Sequence, residues 1–154
     1  MRAALRTATL LCALSIAGCA TQMVQQQARD ACEKQGKRAL VIQSEHSGIP
    51  LLIESAGVTY YCVRPEDVVH TRETFGVDAV SMPDVAGAAV LSVVPASLAG
   101  KAGVTNGDVV YEYAGRAIAN AGELQQAVAD SAAGSQGQIK LRRNQKETVV
   151  SVQF

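Results

Sequence analysis

The stretch from Val93 to Gly115, V-V-P-A-S-L-A-G-K-A-G-V-T-N-G-D-V-V-Y-E-Y-A-G, leaves this chain few ways to fold. It forms the centre of a longer ordered run, Gly87 to Val128. Ala89 to Val94 is short, apolar and β-branched, bounded by Gly87 and Pro95, as in a buried strand. Pro95 ends that strand, and Ser97 can cap a helix of little more than one turn, Leu98 to Ala102. Gly103 stands where such a helix needs a residue with positive φ, which costs little without a Cβ. Asn106-Gly107 is a turn, Asp108 to Tyr113 the next strand, and Ala114-Gly115-Arg116 turns the chain again.

This order resembles the PDZ domain, in the bacterial form carried by envelope serine proteases of the high-temperature-requirement type. The matching residues are Pro95, Ala96 and Ser97 through Ala102-Gly103, then Gly107-Asp108-Val109-Val110, and the likeness extends roughly from Thr71 to Phe154. Ala114 departs from it, standing where the family usually has Asn. In a turn that needs positive φ at both positions, Ala is the costlier residue. The resemblance implies a mixed α/β (α+β) fold, a PDZ-like partly open β-barrel or sandwich of about five to six strands with two helices. To this is added a small N-terminal helix-and-hairpin unit.

The resemblance also implies a ligand site. Such domains take the carboxyl terminus of an extended peptide as an added strand, between a glycine-bearing loop and a helix. Glu73-Thr74-Phe75-Gly76-Val77 matches the apolar-Gly-apolar loop, with Gly76 free to turn its amide toward an anion. Phe75 and Val77 have a second reading, as core residues at a strand start. Asn120 followed by Glu123 makes a capping box, and Leu124, Ala127, Val128 and Ser131 recur at helical spacing until Ala132-Ala133-Gly134. Leu124 and Val128, with Phe75 and Val77, are the candidate pocket for a ligand's last side chain. Since an amphipathic stripe usually faces a core, that pair too has a second reading. Gln138 to Arg143 and Glu147 to Phe154 complete the sheet as a hairpin around Asn144-Gln145.

The amino terminus reads as an address. Arg2 and Arg6 precede a short apolar run, Ala8 to Ile16, too short for the roughly 20 residues that span a bilayer. Leu14-Ser15-Ile16-Ala17-Gly18-Cys19 resembles a bacterial lipobox, which implies a signal peptide at 1–18 and acylation of Cys19. An ordinary leader with a chance cysteine is the other reading. Acyl chains contribute about 0.8 kcal/mol per buried CH₂, so two or three anchor a protein durably. Ala20, where inner-membrane lipoproteins of many enteric-type bacteria carry Asp, points to an outer-membrane anchor facing the periplasm.

Cys12 leaves with the leader and Cys19 is consumed by lipid, so Cys32 and Cys62 remain in an oxidising compartment. A disulfide between them is the favoured reading, contributing about 3–4 kcal/mol. A metal site is the weaker alternative, since two cysteines without a histidine pair are a poor zinc set. Within 19–70, a helix is predicted from near Gln22 to Gln35 and a strand over Ala39 to Gln43. A turn follows at His46 to Pro50, then a hairpin with Leu51 to Glu54 and Val58 to Val63 as arms and Ser55 to Gly57 as its turn. Pro65 begins a compact junction, and 71–154 is the PDZ-like domain.

Composition excludes some functions. The 14 basic and 14 acidic residues cancel, and aromatic residues are 4% of the chain, so neither a basic patch nor a stacking platform for nucleic acid is present. Catalysis is the hypothesis the protease resemblance raises first. A serine protease needs a His, Asp and Ser triad with an oxyanion hole, but no G-x-S-x-G string occurs. The only histidines are His46, beside Ser44 and Ser47 in an expected turn, and His70 at the junction. No phosphate loop, paired-carboxylate signature or metal cluster appears, so neither an enzyme nor a cofactor is expected. Two functions remain open. One is a lipid-anchored module binding protein C-termini or extended peptides, as adaptor or regulator in envelope protein quality control or secretion. The other is a scaffold that docks a partner without reading carboxylates. The oligomeric state is not legible.

Overall fold

The computed structural model describes residues 16–49 and 52–154, beginning with helix α1, Ile16–Glu33. The expected leader therefore lies outside the described residues except for 16–18. Helix α1 starts six residues before the predicted Gln22, with Cys19 inside it, and Gly36 turns the chain out at φ 68°. Two strands follow, β1 (Arg38–Ile49) and β2 (Leu52–Val63), paired antiparallel along their length. This corrects the sequence reading. His46 pairs with Ala56 and Glu45 with Gly57, so neither the His46 to Pro50 turn nor the Ser55 to Gly57 turn is formed there. Gly57 is held in the ladder opposite Glu45, and Gly48 falls at a register shift between Ser47 and Ile49, so cross-strand pairing on either side outweighs their weak strand preference.

Cys32 and Cys62 are joined by a disulfide that ties α1 to β2, with Cα atoms 5.2 Å apart. A 3-10 turn at Pro65–Asp67 follows, closed by Arg64 donating to both carboxylate oxygens of Asp67 at 2.8 and 3.0 Å.

The remaining strands form one open antiparallel sheet: β3 (Val69–His70), β4 (Val77–Met82), β5 (Val85–Val93), β6 (Val109–Tyr113), β7 (Arg116–Ala117), β8 (Gln136–Arg143) and β9 (Lys146–Gln153). Their order is β3-β4-β5-β6-β8-β9, with β7 paired to β6. Helix α2 is Leu98–Lys101 and α3 is Ala121–Ala129. The caps form as the sequence predicts. Ser97 Oγ accepts from the Gly100 amide at 3.2 Å, and Asn120 Oδ1 from the Glu123 amide at 2.9 Å. Glu123 reaches back to the Ala119 amide at 2.8 Å. Ala114 and Gly115 both take positive φ, 49° and 81°, so the hairpin keeps its two-residue geometry despite the Ala. Asp130 ends α3 earlier than the Ala132 to Gly134 exit predicted.

The apolar run that opened the sequence reading is buried because its sheet is covered on both faces. Ala88, Val90, Val110 and Val77 belong to the main core with Phe75, Leu124, Val128, Ile139 and Leu141, beneath α2 and α3. Ala89, Leu91, Val109 and Val80 turn the other way and meet Leu40 and Val63 of the hairpin. Strand β5 also begins earlier than the predicted Ala89. Gly87 lies inside β5 rather than before it, at a point where a Cβ would run into the Val110 carbonyl of β6.

Candidate functional site

The loop from Thr71 to Gly76, the outer edge of β4 and the flank of α3 come together at one end of the sheet. The loop is held at both ends. The Thr71 amide and hydroxyl both donate to the Val77 carbonyl, at 2.9 and 2.7 Å. The same hydroxyl accepts from the Val77 amide at 3.0 Å. Inside it, the amides of Phe75 and Gly76 both donate to the Arg72 carbonyl at 2.9 Å. Thus the three amides of the Phe75-Gly76-Val77 loop have acceptors within the chain. The carbonyls of Thr74 and Phe75 are fixed to α2, accepting from Leu98 and Ala99, and that of Gly76 accepts from Val94 just after β5. Gly76 adopts φ 71°, and a Cβ there would strike Ser97.

Phe75, Val77, Leu124 and Val128, the four apolar candidates, do meet. They do so inside the main core, each at most 2% exposed, with the Phe75 ring stacked on Phe154 at 6.0 Å and edge-on to Tyr113 at 5.9 Å. They form the floor beneath the β4 edge; the half-buried apolar side chain at that edge is another.

That residue is Val69. Strand β3 lies antiparallel along the outer edge of β4, Val69 opposite Ala79 and His70 opposite Asp78, and half-buried Val69 packs on the main core. Helix α3 closes over it from the other side, where Gln125 Nε2 donates to the His70 carbonyl at 2.8 Å. The exposed positions Gly122, Gln125 and Ala129 form the stripe of α3 on Gln125's side, while Ala121, Leu124 and Val128 face the core. Arg72 joins loop to helix by donating to the carbonyls of Val128 and Ala129 at 2.9 and 2.7 Å, at the negative end of α3. Sequence reasoning missed Val69, Thr71, Arg72 and Gln125. The available signal was geometric: once Leu124 is assigned to the core, the next residue on the helix falls on its flank.

Asp78 gathers polar groups on the outer side of this edge. His70 Nδ1 lies 2.6 Å from one carboxylate oxygen, Ser92 Oγ donates to the other at 2.6 Å, and Arg38 stands 4.0 Å away. Burial pushes the Asp78 carboxyl up, but the hydrogen bonds from Ser92 and His70 and the charges of His70 and Arg38 outweigh it, leaving it below the usual range. Ser92 and His70 both bind Asp78 rather than each other, so the histidine is not placed to take the hydroxyl proton. His46, expected in a turn, lies in β1. Among the described residues no three His, Cys, Asp or Glu side chains converge as a metal site would require, and no helix is long and apolar enough to cross a membrane.

Residues 62–154, more than half of the chain, match the family model described as PDZ domain. A protein of Marinomonas sp. (strain MWYL1), described as "Probable periplasmic serine endoprotease DegP-like", is 38% identical over 80 residues. That alignment covers 52% of this chain and 16% of the relative's own length. Among solved structures, the HtrA3 PDZ domain bound to a phage-derived ligand (FGRWV) is 25% identical with a TM-score of 0.46, covering 51% of this chain and 81% of that one. The HtrA-type protease AlgW with decapeptide is 14% identical with a TM-score of 0.47, covering 71% and 40%.

Proposed function

The chain belongs to the PDZ domain family, and on that premise we propose that it is a lipid-anchored envelope protein whose β4 edge takes protein C-termini or extended peptides as an added strand. The observation that carries the proposal is the conjunction of a glycine loop, the β4 edge and the flank of α3, wide enough for one antiparallel strand, since β3 fits there. Phe75, Gly76 and Val77 form the loop end, and Leu124 and Val128 support the floor from below. The periplasmic name of the 38% identical relative, the leader pattern and the Cys32–Cys62 bond support an envelope location. In this reading residues 1–18 are removed, Cys19 carries lipid at the outer membrane, 19–70 form the stapled unit, and 71–154 the binding domain. The protein then acts as an adaptor or regulator in envelope quality control or secretion, with no chemistry of its own.

The test is titration of the chain from Ala20 onward with peptides bearing a free carboxylate, repeated with C-terminal amides. Micromolar binding lost on amidation is the expected result; equal binding of both series removes the carboxylate from the proposal. A membrane-bound, acyl-modified protein that becomes soluble in Cys19→Ser is the expected result for the anchor, and an unmodified Cys19 ends that part.

A second reading, a scaffold that does not read carboxylates, draws on one specific observation. The amides of Phe75, Gly76 and Val77 already have acceptors inside the loop. Absence of binding to either peptide series by a folded protein favours it.

A further inference from the structure

We propose that Val69–His70 is a strap built into the peptide groove, and that a ligand binds only by displacing it. This rests on the peptide-binding reading of the β4 edge above. An incoming strand needs three things there: the outer hydrogen-bonding edge of β4, a place for a side chain between sheet and α3, and loop amides for its terminal carboxylate. The chain fills all three with its own atoms. Strand β3 pairs with Asp78 and Ala79, the middle of that edge nearest the loop. The Val69 side chain occupies the space over the main core, and Gln125 of α3 holds the His70 carbonyl. The Arg72 carbonyl takes the amides of Phe75 and Gly76, and Thr71 Oγ1 takes that of Val77.

The strap is short, and its far side is moored. His70 bonds to Asp78, while Val68, the residue before it, packs into the second apolar cluster with Leu40 and Val63. Val63 adjoins Cys62, whose disulfide holds β2 to α1. A two-residue strand with one half-buried side chain is a weak pairing, so its local opening costs less than unfolding of the core. The apparent affinity for a ligand is then the intrinsic affinity reduced by the fraction of molecules whose edge is open.

The experiment uses the whole chain with its disulfide intact and, as probe, a pool of peptides with four randomised C-terminal residues and a free carboxylate. Val69→Asp, and the milder Val69→Ala in case the first does not fold, weaken the strap without touching β4, the loop or α3. His70→Cys with Asp78→Cys locks it, since directly opposed strand residues lie at disulfide distance. Weak wild-type binding, at least tenfold tighter binding by a folded Val69 variant, and loss of binding in the oxidised lock but not in the single His70→Cys variant support the strap. So does hydrogen exchange that shows the Thr71 amide, bonded to the Val77 carbonyl, losing protection when the wild type is saturated. If the Val69 variants bind no tighter than wild type, or β3 stays protected in the bound state, the strap is overturned while peptide binding stands. If neither wild type nor the Val69 variants bind the pool, peptide binding at this edge fails and the strap with it.

Discussion

Asp108 is the side chain on which most of the central turn depends. Fully buried, it receives both Nε and Nη2 of Arg143 at 2.7 Å and the Thr105 amide at 2.8 Å. Arg143 also donates to the Gly103 carbonyl at 2.7 Å, so the exit of α2, the turn before β6 and the end of β8 are tied at one point. Hydrogen bonding to Asp108 raises the Arg143 pKa further above its already high value, burial opposing it. Asp108→Ala leaves the guanidinium and the Thr105 amide without their acceptor; the expected loss is about 2–4 kcal/mol in a urea titration. Gly76→Ala adds a Cβ against Ser97 at positive φ and is expected to cost about 1–3 kcal/mol by the same measure. Asp78 introduces a pH dependence. Its carboxyl is held below the unfolded-state value of roughly 3.9, so its contribution is complete above that value and lost as pH falls through the folded-state pKa. Asp78→Asn should therefore be less stable than wild type at neutral pH, the gap closing in acid; a gap that persists there contradicts the assignment.

At the level of elements, legibility followed how local the determinant is. Ser97, Asn120 and Gly103 act within a few residues of themselves, and α2, α3 and the turn after α2 sit where those residues predict. The long β1–β2 hairpin was hidden because Gly48 and Gly57 read as punctuation, whereas the pairing that starts with Arg38 and Val63 at its base continues past them to Ile49 and Leu52. The site was half legible. Phe75-Gly76-Val77 marks the loop, but periodicity places Leu124 and Val128 on one stripe without saying that the cleft belongs to the stripe of Gln125. Strand β3 has two residues and no pattern of its own; only its tertiary partners define it. Arg72 makes an element-scale contact, tying the loop to the last carbonyls of α3. Arg72→Ala is expected to cost about 1 kcal/mol and to raise hydrogen exchange at the C-terminal end of α3 before any other helix. Replacing Cys32 and Cys62 by Ser opens a link between residues 30 apart and is expected to lower stability by about 3 kcal/mol in the same titration.

The whole molecule is a sheet with two cores. The family match starts at residue 62, yet Val80, Ala89, Leu91 and Val109 on the outer face are covered by Leu40, ahead of that match, together with Val63 at its start and Ile42 packed beside them. Gly107 shows how close that contact is, because a Cβ there would meet the Val41 carbonyl of β1. A fragment begun at residue 71 uncovers the apolar face, and we expect it to self-associate in sedimentation at concentrations where the longer chain does not. A monomeric, fully folded 71–154 fragment contradicts the shared core.

The order of synthesis runs against this arrangement. The hairpin leaves the ribosome first, and Leu40 and Val63 have nothing to cover until β4, β5 and β6 have followed them out. Contacts so far apart in sequence are slow to form and leave apolar surface open meanwhile. In the oxidising compartment proposed above, the Cys32–Cys62 bond, closed between two segments that arrive early, can hold the shape of a surface whose other half has yet to follow.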